Sequence, residues 1–190
     1  RMDLPIVRSC YLRLFMNQII RCLVLACSLS VCSFAHPADD SLHHRGLRFA
    51  SDGLIFASGL QLQWEGCSPT CQLIGLPPEP GEAQRVLWQD VYLNADLTVI
   101  TYSQSPMITY EWVVYPSGNP NDIVVRQHAA TRGQPMPPPT FTQPQAWQDQ
   151  GGITDVACPV QLQWVGQRLS LTVGDYDPGQ ALIIRWTQQP

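Results

Sequence analysis

The chain contains no lysine; its eleven basic residues are all arginine. Schiff-base chemistry and lysine general bases are therefore excluded. Charged residues are sparse, at 14%, and the formal net charge is −4. That balance argues against a nucleic-acid partner, because phosphate binding needs clustered cations. The only histidines are His36, His43, His44 and His128, and none stands at metal-ligand spacing from the cysteines. No stretch of ten or more residues holds a 3.6-residue apolar period, so long helices are not expected. No G-x-S-x-G elbow is present, which removes the commonest local signature of a serine hydrolase, and no cofactor is expected. Seventeen prolines and thirteen glycines imply many turns, while 45% hydrophobic residues suffice for a packed interior. The length of 190 residues fits one domain, or two small lobes sharing a core.

The N-terminal region reads as an export signal. The chain begins at Arg1, as a fragment or a misplaced start would, and Met16 is the natural initiator. Met16 to Arg21 forms a short basic segment, Cys22 to Phe34 an uncharged apolar one, and Ser33-Phe34-Ala35 supplies small residues before a cleavage point. The apolar run is shorter than the ~20 residues that span a bilayer. Expected boundaries are therefore an untranslated or extended leader at 1–15, a signal peptide at 16–35 and a flexible tail at 36–45. Cleavage leaves seven arginines against fourteen acids, a clearly acidic secreted or cell-surface protein with no membrane insertion. Cys67, Cys71 and Cys158 remain, and an oxidising compartment makes a local disulfide across Cys67-Ser68-Pro69-Thr70-Cys71 plausible. Cys158 is left to pair with one of these, to be buried or to be free.

From Gly46 onward, strand-sized runs alternate with turn residues. Leu60-Gln61-Leu62-Gln63-Trp64 places Leu60, Leu62 and Trp64 on one face. Further strands are expected at Leu97–Tyr102, Ile108–Tyr115, Ile123–Arg126, Leu169–Val173 and Leu182–Trp186, and at Val86–Leu93, where strand is preferred over one helical turn, with turns at Pro116–Asp122 and Asp175–Gly179. The result is an all-β, sandwich-like fold of short antiparallel strands. Gly133–Pro139 reads as a semi-rigid proline-rich connector between a main lobe at 46–132 and a C-terminal lobe at 140–190. Val160-Gln161-Leu162-Gln163-Trp164 echoes Leu60–Trp64, as two similar lobes would.

Five segments, in order, resemble a known family. Asp90-Val91-Tyr92-Leu93-Asn94-Ala95-Asp96-Leu97 resembles its "DVYPGIDL", and Ile108–Val114 its "LEYDFVV". Pro116–Ile123 is similar to "PGADPSKI", Gln143–Gln148 to "QPKPVAYQ", and Val173–Asp177 with Leu182–Ile184 to "VGAYD…LVI". The family is an uncharacterised extracellular β domain of bacterial surface proteins, found N-terminal to SBBP-type β-propeller repeats. The resemblance implies a β fold and an extracytoplasmic location; it implies no activity. The chain departs from the family in its proline connector, in its closing Arg185-Trp186 and in carrying no propeller before Pro190.

Candidate chemistry is thin. Glycoside hydrolysis needs two carboxyl groups across a cleft, and Glu111 with Asp90 or Asp96 is the available set. The competing reading gives Asp90 and Asp96 to turn hydrogen bonds and pairs Glu111 with a cross-strand arginine such as Arg126. Asp175 and Asp177 resemble the start of a calcium loop but lack its later acids. His128 is read as an exposed loop residue just past a strand. Trp64, Trp112 and Trp164 belong to apolar faces, while Trp88 and Trp147, beside loops, and Tyr110 are the aromatic binding candidates. The expected role is a non-catalytic module in surface assembly, or in binding a protein partner or surface polysaccharide. The alternative is a secreted glycoside hydrolase.

Overall fold

The computed structural model describes residues 43–44, 46–129, 137–149 and 155–189. The expected leader, signal peptide and most of the tail lie outside them, as do residues 133–136 of the connector. The described elements are strands, save one 3-10 turn at Pro120–Asp122. No helix among the described residues is long and apolar enough to cross a membrane.

In chain order the strands are β1 (His43–His44), β2 (Leu47–Ala50), β3 (Gly53–Phe56), β4 (Leu60–Trp64), β5 (Gln72–Leu76), β6 (Glu82–Tyr92) and β7 (Ala95–Tyr102). They continue with β8 (Ile108–Val114), β9 (Val124–Ala129), β10 (Gln145–Asp149), β11 (Asp155–Cys158), β12 (Val160–Val165), β13 (Arg168–Val173) and β14 (Leu182–Gln188). Two seven-stranded antiparallel sheets result. The first runs β1-β2-β3-β4-β9-β13-β12 and the second β11-β10-β14-β8-β7-β6-β5. Strands from both sides of the connector share both sheets. β14 lies between β10 and β8, and β13 between β9 and β12, so the strands that follow the connector extend one end of each sheet rather than forming a separate lobe. The echo at 160–164 falls on β12, in the same sheet as β4.

The alternation read from sequence sets the layers. In β4, Leu60, Leu62 and Trp64 are buried while Gln61 and Gln63 are partly exposed. In β8, Tyr110, Trp112 and Val114 face the core. Trp64 reaches from the first sheet into an aromatic cluster of the second. Its ring stands edge-on to Trp88 at 5.7 Å, to Trp112 at 6.0 Å and to Tyr110 at 6.5 Å. Trp186 stacks on both Tyr110 and Trp112. Such offset and edge contacts suit the aromatic quadrupole. Tyr92 ties the layers together: its ring stacks on Trp112, and its hydroxyl donates to the Val124 carbonyl at 2.9 Å. Burial pushes the Tyr92 phenol well above its ordinary value.

The connector's far end is anchored by a buried amide. Gln127 on β9 lies on the inner face and donates through Nε2 to the Pro137 carbonyl at 3.2 Å. Phe141 then bridges to Gln188 and lays its ring on Trp164 of the opposite sheet, 6.2 Å away and nearly parallel.

Candidate polar site on the outer face of the first sheet

The carboxyl groups offered by the sequence are occupied in the fold. Asp90 sits in an irregularity of β6 with a left-handed φ of 54°. Its N–H donates to Asp96 Oδ1 at 2.7 Å, and the Tyr115 hydroxyl donates to Asp96 Oδ2 at 2.9 Å. Asp96 is 7% exposed, so this carboxylate is a buried brace for the bulge. Asp96 and Glu111 share the outer face of the second sheet on neighbouring strands, because Asp96 opposes Val113 and Thr98 opposes Glu111. Glu111 is nonetheless held by an ion pair. Its partner is Arg185, directly opposite on β14, and not Arg126 as expected. Arg126 belongs to β9 of the other sheet and serves Glu65 instead. Neither the cavity on the outer face of the first sheet nor the one beside Met107 includes Asp90, Asp96 or Glu111.

The aromatic candidates separate in the same way. Trp88 is fully buried, and its Nε1 donates to the Ala50 carbonyl at 2.9 Å. Tyr110 is buried too, with its hydroxyl on Gln188 Oε1 at 2.7 Å and its phenol raised far above the usual range by burial. Both are core residues, because the inward positions of β6 and β8 carry them between the sheets. Trp147 alone stays half-exposed, and the Arg185 guanidinium lies 5.3 Å over its ring. Asp177 closes its own turn: its carboxylate accepts from Gly179 N–H at 2.8 Å and from Gln180 Nε2 at 3.0 Å. Among the described residues no group of three His, Cys, Asp or Glu is arranged to hold a metal.

The expected disulfide is not formed: Cys67 and Cys71 are separate thiols, as is buried Cys158. The loop between the first two closes by hydrogen bonds instead, Cys71 N–H to the Ser68 carbonyl and Ser68 Oγ with Thr70 Oγ1. Burial first, then the nearby Cys67, Asp90 and Asp96 groups, push the Cys71 thiol up to about 11. The thiolate is the reactive form. Native Cys71 is therefore expected to react with iodoacetamide at pH 8 about 100-fold more slowly than in the urea-unfolded chain. Equal rates, followed by mass spectrometry, would refute this.

A group of polar side chains borders a cavity on the outer face of the first sheet, where sequence reading placed no site. Here β3, β4 and β9 border a cavity of about 410 Å³ lined by Asp52, Gly53, Gln61, Gln63 and His128, among others. Gln61 stands opposite His128 and Gln63 opposite Arg126. Gln63 links the group: its Nε2 donates to Asp52 Oδ2 at 2.9 Å, and its Oε1 lies 2.9 Å from His128 Nε2. Since the amide nitrogen serves the carboxylate, the amide oxygen faces the imidazole and His128 donates from Nε2. Among the described residues, no hydrogen bond occupies its Nδ1, the second Asp52 oxygen or the Gln61 amide, which leaves them capacity for a ligand. Thus His128 is a strand residue within a network and not a loose loop residue.

Gly53 forms part of the cavity wall for a steric reason. A Cβ there would stand 2.1 Å from the Leu62 carbonyl oxygen, so only glycine lets β3 and β4 run this close. Beside the cavity, Glu65 accepts from Arg126 Nε at 2.8 Å and Arg168 Nε at 3.0 Å. The Arg126 hydrogen bond foremost, with the charge of both arginines, holds its carboxyl below the ordinary range. Two arginines on one acid leave this flank locally cationic on an acidic chain. A second cavity, of about 360 Å³, opens at the end of the sandwich between Phe56, Met107 and Ile108, with largely apolar walls.

Gln61 and Gln63 were visible in sequence as the polar half of an alternating strand. Asp52 and His128 had no local signal, since β3–β4 and β4–β9 pairing brings them in.

No curated protein and no solved structure matches the chain. Residues 81–185 match a family model described as a domain of unknown function, DUF7948. The match starts at the turn before β6 and stops within β14, so Asp52, Gln61 and Gln63 precede it and His128 lies inside it. It spans more than half of the 190 residues, and the chain belongs to the DUF7948 family.

Proposed function

We propose that the chain is a secreted, non-catalytic β module of a bacterial surface assembly, and that it binds a neutral polysaccharide on the outer face of its first sheet. The observation that carries this reading is the division of polar groups. The acids suited to hydrolysis brace the fold, whereas Asp52, Gln61, Gln63 and His128 line an open cavity with donors and acceptors to spare. Planar carboxylate, amide and imidazole groups suit paired sugar hydroxyls, each of which donates and accepts. The Asp52 carboxylate in the cavity wall disfavours an anionic ligand there.

The export pattern from Met16 to Ala35 and the likeness to a domain preceding SBBP-type propellers support the extracytoplasmic setting. The test is binding of neutral oligosaccharides of glucose, mannose and galactose, followed by isothermal titration. Gln61→Ala and His128→Ala are each expected to weaken binding about 5- to 10-fold, the loss of one hydrogen bond of roughly 1 to 1.5 kcal/mol. Glu111→Gln is expected to leave it unchanged. Binding that survives both cavity substitutions would sink this reading.

A further inference from the structure

The first sheet ends in an edge that lacks the usual protection. β12 pairs with β13 on one side and with no strand on the other among the described residues. The phase of this ladder follows from one bond, Gly174 N–H to the Pro159 carbonyl at 2.7 Å. In an antiparallel pair, residues that exchange hydrogen bonds alternate with residues that do not. With Pro159 opposite Gly174 bonded, the pairs Gln161–Thr172, Gln163–Ser170 and Val165–Arg168 are also bonded. Val160, Leu162 and Trp164 therefore turn their N–H and C=O groups away from β13. None of the three makes a backbone bond elsewhere among the described residues.

Exposed edges are normally guarded by brevity, charge, proline or a bulge. β1 has two residues, β11 has four and begins with Asp155, and β5 runs straight into Pro77 and Pro78. β12 has six residues, with no charge and a regular register, and Pro159 just before it is turned toward β13, where its carbonyl accepts from Gly174, so it leaves the outward groups unguarded. Its last residue, Val165, is 65% exposed.

We propose that β12 pairs antiparallel with β12 of a second copy of this chain, joining two seven-stranded sheets into one. The strand is complementary to itself. Its pattern of apolar and glutamine residues reads alike in both directions, as an isologous two-fold contact requires. Centred on Leu162, the pairing sets Val160 against the partner's Trp164 and Gln161 against the partner's Gln163. Each copy carries a net charge of −4, so copies approach most easily where neither brings charge, and β12 brings none. A charged peptide would find nothing on this strand to complement. The inference is independent of the polysaccharide reading.

Sedimentation velocity of the full chain across a range of concentrations tests the pairing. The wild type is expected to shift to twice the monomer mass as concentration rises, with hydrogen exchange at Leu162 and Trp164 slowing in parallel. Leu162→Pro removes one outward N–H without touching a β13 bond, a position where edge proline is tolerated. It is expected to be monomeric throughout. Should that variant misfold, Gln161→Lys with Gln163→Lys serves instead. These exposed positions would set like charges against each other across the two-fold, and the expected result is again a folded monomer. A wild type that stays monomeric, or a dimer that persists in a folded variant, overturns the proposal.

Discussion

Trp64→Ala is expected to destabilise the domain by about 4 kcal/mol, the cost typical of removing a large aromatic from a core. The residue is 1% exposed and packs from the first sheet against Trp88, Tyr110 and Trp112. Deleting it leaves a cavity bounded by three rings that are fixed by their own strands, so little collapse can refill it. For a domain of this size the loss corresponds to a fall in Tm of roughly 8–16 °C. Thermal unfolding followed by near-ultraviolet circular dichroism reads it directly. A shift below about 3 °C would mean that the sheets do not close around Trp64.

Gly53→Ala is expected to cost about 3 kcal/mol or more, by overpacking rather than by loss of contact. The added methyl would stand 2.1 Å from the Leu62 carbonyl oxygen and 3.0 Å from Gln63 Cα. Both are backbone, so no rotamer change relieves the overlap and β3 must move from β4. Because Gln63 is the central member of the Asp52–Gln63–His128 chain, the same change is expected to disturb the cavity. Urea unfolding measures the first effect and the His128 ring resonances the second. A variant as stable as wild type would contradict the close approach of these strands.

The legible part of the fold was its local alternation. Leu60–Trp64, Ile108–Val114, Leu169–Val173 and Leu182–Trp186 each form strands, because a half-buried strand writes a period of two into the chain. The order of strands was not legible. Glu111 meets Arg185, 74 residues away, because β14 inserts beside β8, and no local pattern encodes that. Trp88 was misplaced for a related reason. It stands close to the irregularity at Asp90, where the alternation breaks and inward and outward positions cannot be counted from sequence. β5 is uneven in exposure and β11 is only four residues long, which leaves little periodicity to detect. The polar site was half legible: the glutamines declared themselves as the outer face of β4, while Asp52 and His128 required the register of two neighbouring strands.

The central claim is a binding site without catalysis on the first sheet. Its most direct test is an NMR titration of the full chain with the neutral oligosaccharides, with sugar integrity followed in the same tube. The expected result is shifts confined to the Gln61 and Gln63 side-chain amides, the His128 ring and neighbouring backbone, with the sugar recovered intact. Shifts centred on Glu111 and Trp147, or cleavage of the sugar that Glu111→Gln abolishes, would contradict it.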